Sequence, residues 1–263
     1  MQGFNELKYS SIKCASDIKY PHSILISHLG DKVVFISEHD SINILDLTTS
    51  EHVIYTHKGG IRNISLSDNN LLAISGINSS LMDLVTMKEF IKLPTEFSDE
   101  QIEITINKAG TKIYLANAII GSISIYNIST GKVEYHLTNA PQNIVTTCIS
   151  PNEVYYYCRS LVNGGESIWE ISTGKKVMEK VFKNTSGPSN PFVCFHPFLP
   201  VIASGSKKGL IMLLNLEIEN ILSMQSISEF QVKALSFLPD GKQLIVATAD
   251  GMVHFMDLSG IKS

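Results

Sequence analysis

The chain has 263 residues, a formal net charge of −4 and a charged fraction of 17%. A nearly neutral chain lacks the global charge that nucleic acids and anionic membranes select, and its apolar stretches have the length of strands rather than of bilayer spans. The N-terminus lacks the basic and apolar regions of a secretory signal. Together these features predict a cytoplasmic or nuclear protein.

The predicted elements are short strands in which apolar and polar residues alternate, beginning with the stretch 4–11. Period-two alternation is typical of a half-buried strand. A related dipeptide then closes one strand in each successive part of the chain: Leu45-Asp46, Met82-Asp83, Tyr126-Asn127, Trp169-Glu170, Leu214-Asn215 and Met256-Asp257. Their spacings are 37, 44, 43, 45 and 42 residues. A recurrence of this length indicates a repeat architecture.

The last repeat shows the pattern most clearly. A strand at 235–237 leads into the turn 238–242, where Pro239 presets one backbone dihedral and Asp240-Gly241 tolerates positive φ. A second strand at 243–248, a tight hairpin at 249–251 and a third strand at 252–258 follow. The preceding repeat has the same order, and Thr-Gly-Lys turns after Ser129 and Ser172 predict a fourth strand in two earlier repeats.

This pattern resembles the WD40 family over roughly residues 24–263. The resemblance implies a single all-β domain, 1–263, folded as a β-propeller of six four-stranded blades. The repeats are then approximately 24–58, 59–97, 98–139, 140–184, 185–230 and 231–263. The repeats are degenerate, since only Trp169 keeps the family's Trp and His57 is the nearest relic of its Gly-His pair. The family's hydrogen-bonded tetrad is not intact in any repeat, so we expect apolar packing to hold the blades together.

The last repeat ends after its third strand, whereas residues 1–23 precede the first complete repeat. We expect a strand from this N-terminal segment to pair with the third strand of the last repeat and to close the ring, because closure removes an exposed sheet edge. A seventh blade would need about forty more residues. If the segment does not close the ring, the open edge becomes a docking site for a partner.

The sequence predicts no catalytic residue, no cofactor and no metal site. None of the four cysteines forms a C-x-x-C pair, and none of the eight histidines has a metal-binding spacing. A nucleophile elbow and a phosphate-binding glycine loop are also missing from the sequence. The recurring Asp46, Asp83 and Asp257 indicate a role in building blades rather than a paired acid–base site.

In WD40-like propellers, the loops between blades and the hairpins between second and third strands line one face that partners commonly use. Arg and aromatic residues are frequent hot spots on such a face. The resemblance therefore implies partner contacts at these positions, all expected in loops: Arg62, Arg159, Lys207, Lys208, Phe230 and Asp250.

These features favour a non-catalytic scaffold for protein–protein interaction, in which one or more proteins or peptides bind the loop face of a subunit of a multiprotein complex. One alternative is a propeller enzyme or ligand-binding protein with a central-channel site. The other is an RNA-binding subunit of a ribonucleoprotein, although direct nucleic-acid contact is disfavoured by the few clustered basic residues. A hydrophobic fraction of 44% and a mean hydropathy of +0.12 hint at a constitutive partner.

Overall fold

The structure, a computed structural model, describes residues 9–13, 22–38, 40–94, 102–137, 140–160, 165–179, 192–217 and 219–261. These residues form 24 β-strands in six four-stranded antiparallel sheets and contain no helix. Accordingly, this part of the chain contains no helix long and apolar enough to cross a membrane. The fold is a six-bladed β-propeller, and the predicted fold class is confirmed.

Each of the first five blades consists of four consecutive strands. Blade 1 comprises β2 (His22–Ile26), β3 (Lys32–Glu38), β4 (Ser41–Asp46) and β5 (His52–Thr56). Blade 2 comprises β6 (Asn63–Leu66), β7 (Leu71–Ser75), β8 (Ser80–Asp83) and β9 (Lys88–Lys92). Blade 3 comprises β10 (Ile102–Ile106), β11 (Lys112–Asn117), β12 (Ser122–Asn127) and β13 (Lys132–Leu137).

The remaining strands complete three more blades. Blade 4 comprises β14 (Ile144–Ile149), β15 (Tyr155–Ser160), β16 (Glu166–Glu170) and β17 (Lys175–Glu179). Blade 5 comprises β18 (Phe192–Phe195), β19 (Val201–Gly205), β20 (Leu210–Asn215) and β21 (Asn220–Ser226). Blade 6 comprises β22 (Val232–Phe237), β23 (Gln243–Thr248), β24 (Met252–Asp257) and the N-terminal strand β1 (Tyr9–Lys13).

The predicted N-terminal closing strand is confirmed, because β1 pairs antiparallel with β24. The register runs from Tyr9 opposite Met256 to Lys13 opposite Met252 without a shift. The observed strand overlaps only the C-terminal end of the predicted stretch 4–11, of which residues 4–8 lie outside the described part. The β24 edge is therefore covered by a strand from the other end of the sequence.

The chain divides into two compact units. Unit 1 consists of Met1–Ile24 and Phe182–Ser263, and unit 2 of Leu25–Val181. Unit 1 holds blades 5 and 6, whereas unit 2 holds blades 2 to 4 and strands β3 to β5 of blade 1.

Apolar side chains between neighbouring sheets form the core of each unit, as the degenerate repeats predict. In unit 2, for example, Val34 and Ile42 of blade 1 belong to one buried cluster with Leu72 and Ile74 of blade 2. Similar clusters join blade 2 to blade 3, blade 3 to blade 4 and, in unit 1, blade 5 to blade 6. Full burial of one such aliphatic side chain contributes about 1.5–3 kcal/mol.

In five of the blades, the Asp or Asn that closes the third strand caps the turn after it. Asp83 Oδ1 accepts hydrogen bonds from the backbone N–H groups of Val85 and Thr86, at 2.7 and 3.0 Å. Asn127 Oδ1 does the same for the two equivalent N–H groups of its own turn. Equivalent bonds recur after Asp46, Asn215 and Asp257. The predicted blade-building role of the recurring carboxylates is thus confirmed.

Candidate interaction face

In unit 1, the loop between β21 and β22 lies against two hairpins. The N–H of Ile227 donates to the carbonyl of Gly209 at 3.0 Å, and the carbonyl of Ser206 accepts from the N–H of Val232 at 3.0 Å. On its other side, the same loop accepts at Gln231 a hydrogen bond from the N–H of Ala249, at 2.8 Å. Backbone bonds thus fix the loop between the β19–β20 and β23–β24 hairpins.

This arrangement brings four of the six predicted partner-binding residues to one face. Lys207 and Lys208 form the tip of the first hairpin, Phe230 lies in the loop, and Asp250 lies in the second hairpin. All four are exposed, and Phe230 exposes 52% of its surface. We call residues 206–209, 227–231 and 249–251 the loop face of unit 1. Contact of these residues with a partner stays a prediction.

A glycine makes the close approach of loop and hairpin possible. Gly209 has a φ of +64°, and a side chain on it would collide with the carbonyl of Ser228. The carbonyl of Phe230 would also be only 3.0 Å from that added carbon atom. The position therefore requires glycine for both its backbone conformation and its lack of a side chain.

Asp250 is anchored by a polar network inside blade 6. Thr248 Oγ1 donates to Asp250 Oδ1 at 2.5 Å and lies 3.0 Å from Nε2 of the buried His254. Since the hydroxyl proton is used on Asp250, His254 donates from Nε2. Burial lowers the pKa of His254, and the negative charge of Asp250 acts in the opposite direction. The carboxylate is thus presented at a fixed position beside the hydroxyl of Thr248.

Arg62 connects three blades of unit 2. Its Nε donates to Oε1 of Glu103 at 2.6 Å, and its Nη2 donates to the carbonyl of Ile144 at 3.4 Å. Asn63 Nδ2 donates to the second carboxylate oxygen of Glu103 at 3.0 Å. Burial raises the pKa of Glu103 to about 7, and the charge of Arg62 opposes this shift. The guanidinium is therefore engaged within the protein, and its predicted contact with a partner stays a prediction.

Arg159 does not lie in a loop, contrary to the sequence-based prediction. It belongs to β15, opposite Glu166 of β16, and only 6% of its surface is exposed. The strand that begins with the three tyrosines continues through Ser160, so Arg159 is placed inside the sheet. Burial lowers the pKa of its guanidinium, and the charge of Glu166 opposes this. A partner could therefore contact only the small exposed part of this residue.

Sequence reasoning missed a set of exposed aliphatic side chains in unit 2. Ile77 lies in the β7–β8 hairpin, and Ile119 and Ile120 lie in the β11–β12 hairpin, with exposed fractions of 51%, 57% and 67%. Polar residues and glycine normally occupy such turns. The sequence signal was therefore the pair of isoleucines between Asn117 and Gly121.

The described ranges contain no group of three or more His, Cys, Asp or Glu side chains that could hold a metal ion. Within these ranges Cys148, Cys158 and Cys194 are reduced cysteines. Burial raises the pKa of the Cys158 thiol to about 11, so this side chain is present as the thiol at neutral pH.

One protein-family model matches the C-terminal part of the chain. The family model of the anaphase-promoting complex subunit 4 WD40 domain matches residues 193–262. This segment covers blades 5 and 6, in which the repeat pattern is clearest. The match over this segment, together with the six four-stranded blades, supports the resemblance to WD40-repeat propellers. No curated protein matches this chain.

Proposed function

We propose that this WD40 propeller is a non-catalytic protein-binding scaffold, a subunit of a multiprotein complex in the cytoplasm or nucleus. The observation that supports this most is the loop face of unit 1, which carries Phe230 together with two exposed lysines and Asp250. An exposed aromatic side chain on a face with charged groups is the composition of a protein-binding hot spot with a polar rim.

Two further observations support the scaffold over its alternatives. The matching family model is named for a subunit of a complex. The loop face combines Lys207 and Lys208 with the carboxylate of Asp250, and the chain as a whole carries a net charge of −4. Nucleic-acid affinity at physiological salt rests on several phosphate contacts by Lys and Arg, so a protein or peptide suits this face better than RNA.

The proposal is tested by gentle affinity purification of the full chain from its own cells, followed by mass spectrometry of the bound proteins. We expect a stoichiometric set of partners. Phe230→Ala combined with Lys207→Glu should weaken their retention by about 30-fold, which is the scale of a hot-spot residue.

The matched control is Phe198→Ala, since Phe198 exposes 73% of its surface at the opposite end of β19. It should leave the partner set unchanged. Recovery of the wild-type protein alone would contradict the scaffold. If the Phe230→Ala/Lys207→Glu variant retains its partners as well as Phe198→Ala does, the partners bind another surface.

A further inference from the structure

Within the part of the chain that the structure describes, the outer strand of blade 1, β5, is an unprotected sheet edge. It ends the sheet β2-β3-β4-β5, and its sequence, His-Val-Ile-Tyr-Thr, contains no Asp, Glu, Lys or Arg. Charged side chains, lysine above all, are the common device that keeps an exposed edge from pairing with another chain. The outer strands of blades 2, 3, 4 and 6 carry such residues: Lys88 and Lys92, Lys132 and Glu134, Lys175 and Lys176, and Lys13.

A second protective device, the β-bulge, is also missing from β5. The outer strands β9, β13, β17 and β21 each pair with their neighbour through a register shift. In contrast, β5 pairs with β4 in continuous register from His52 to Thr56. Bulges twist an edge away from incoming strands. Among the six outer strands that the structure describes, β5 is the one that has neither a charge nor a bulge.

The hydrogen-bond pattern shows which backbone groups of β5 face outward. The N–H of Asp46 donates to the carbonyl of Glu51, and the N–H of His57 donates to the carbonyl of Asp40. Hydrogen-bonded pairs alternate along an antiparallel ladder, so Val53 and Tyr55 direct their backbone groups toward β4. The N–H and C=O groups of residues 52, 54 and 56 therefore point to the open side.

The side chains at the centre of this edge are apolar and exposed. Val53 exposes 44% of its surface and Ile54 exposes 60%. Both are β-branched residues, which favour extended backbone. The edge therefore offers backbone groups, strand propensity and apolar surface to an incoming strand.

We propose that β5 pairs with β5 of a second copy of this chain, antiparallel and centred on Ile54. In this register Ile54 faces its own counterpart, Val53 faces Tyr55, and His52 faces Thr56. No like charges oppose each other, and the aromatic–β-branched pair is a favourable cross-strand combination. The outward groups of three residues in each copy form about six hydrogen bonds.

This edge suits a second copy because the pairing is isologous. The same strand serves both chains, so association closes at two copies rather than continuing into a fibre. A single strand pair buries less than the roughly 1,200 Å² of a stable complex, so the dimer is weak and depends on concentration. A fifth strand would extend blade 1 without disturbing its existing ladder.

The test is sedimentation equilibrium of the full chain between about 10 µM and 1 mM, the range expected for a small interface. The weight-average mass should rise from 29.0 kDa toward twice that value. Ile54→Pro should hold the mass at that of the monomer. Proline removes the outward N–H of residue 54 but none of the hydrogen bonds to β4.

Ile54→Lys is the second variant, because it adds the missing charge and should abolish association equally. The matched control is Val177→Lys on the bulged strand β17, where Val177 exposes 47% of its surface. This variant should dimerise like the wild type. Circular dichroism verifies that each variant is folded.

Amide hydrogen exchange at residues 52, 54 and 56 should slow as the concentration rises. Constant monomeric mass up to 1 mM, a concentration at which a roughly 4 kcal/mol interaction is half saturated, would overturn the proposal. Association that persists in both Ile54 variants would also overturn the proposed dimer. Binding of another protein to the same edge would not rescue the proposal in that case.

Discussion

His196 connects the turns of two neighbouring blades in unit 1. Its Nδ1 accepts hydrogen bonds from the backbone N–H groups of Phe198 and Leu199, at 3.1 and 2.9 Å. The proton therefore resides on Nε2, which donates to the carbonyl of Gly241 at 3.0 Å. His196 also packs edge-to-face against Phe237, with ring centroids 5.0 Å apart. One buried imidazole thus fixes its own turn and that of the next blade.

We predict that Gly241→Ala lowers the free energy of unfolding by about 2 kcal/mol, because Gly241 has a φ of +71° and an added Cβ would lie 2.6 Å from the His196 ring. His196→Ala should cost about 1–3 kcal/mol through its lost hydrogen bonds. In the double variant Gly241→Ala/His196→Ala, the added Cβ no longer meets the imidazole, so the steric part of the Gly241 cost disappears.

Urea unfolding of the wild type, the two single variants and the double variant measures this coupling. Purely additive costs would contradict the contact between Gly241 and His196.

Glu103 makes stability depend on pH in a defined direction. Its pKa is raised in the folded state from 4.5 to about 7, chiefly by burial. Its contribution to stability is therefore complete below pH 4.5 and is lost as the pH rises through 7. Relative to Glu103→Gln, the wild type should lose at most about 3 kcal/mol over this interval.

Urea unfolding of the wild type and Glu103→Gln at several pH values gives this difference. Other titrating groups such as His254 are shared by both proteins and cancel. If the difference in unfolding free energy stays constant between pH 4.5 and 7, the charge of Arg62 at least offsets the effect of burial on the pKa of Glu103.

At the scale of elements, the capped turn after the third strands of blades 1, 2, 3, 5 and 6 is a local unit that repeats along the chain. Asp83 offers the cleanest test, since Asp46 forms an additional ion pair with Lys32 at 2.8 Å. We predict that Asp83→Ala costs about 1 kcal/mol, because two backbone N–H groups lose their acceptor. Asp83→Asn should cost a few tenths of that, because Asn127 already caps an equivalent turn. Thermal unfolding of both variants measures these costs. Equal losses of stability in Asp83→Ala and Asp83→Asn would contradict the capping role.

Strand positions followed well from the sequence because both strand and turn signals are local. The three tyrosines at 155–157 illustrate this, since aromatic residues are enriched in strands and these three begin β15. Tyr156 and Tyr157 are fully buried. The bulges of the outer strands were not predictable in this way, because a bulge is defined by the pairing of two strands.

At the scale of the whole molecule, blade 6 is assembled from both ends of the sequence. We predict that deletion of residues 1–13 lowers the melting temperature by about 10 °C, because a ladder worth a few kcal/mol is lost. The exposed β24 edge should also promote aggregation, which light scattering detects.

Deletion of residues 1–8 is the control, since it retains β1 from Tyr9 onward. It should have a clearly smaller effect on both measurements. Equal losses in the two deletions would contradict a specific role for β1.

The loop face of unit 1 was predictable only in outline. Lys207, Lys208, Phe230 and Asp250 converge because hairpins and inter-blade loops lie at defined strand ends, which the repeat pattern locates. Arg159 was misplaced because the end of its strand depends on pairing with β16 rather than on the tyrosine run itself.

The sequence by itself determined the strands, the turns between them and the six repeats. Alternation and turn chemistry are properties of neighbouring residues, and the repeats follow from their period. Only the tertiary structure decided that Arg62 is bound to Glu103, that His196 reaches Gly241 and that β5 lacks a bulge. The physical reason is that these contacts join residues about ten to forty-five positions apart, and their geometry follows from how the sheets pack.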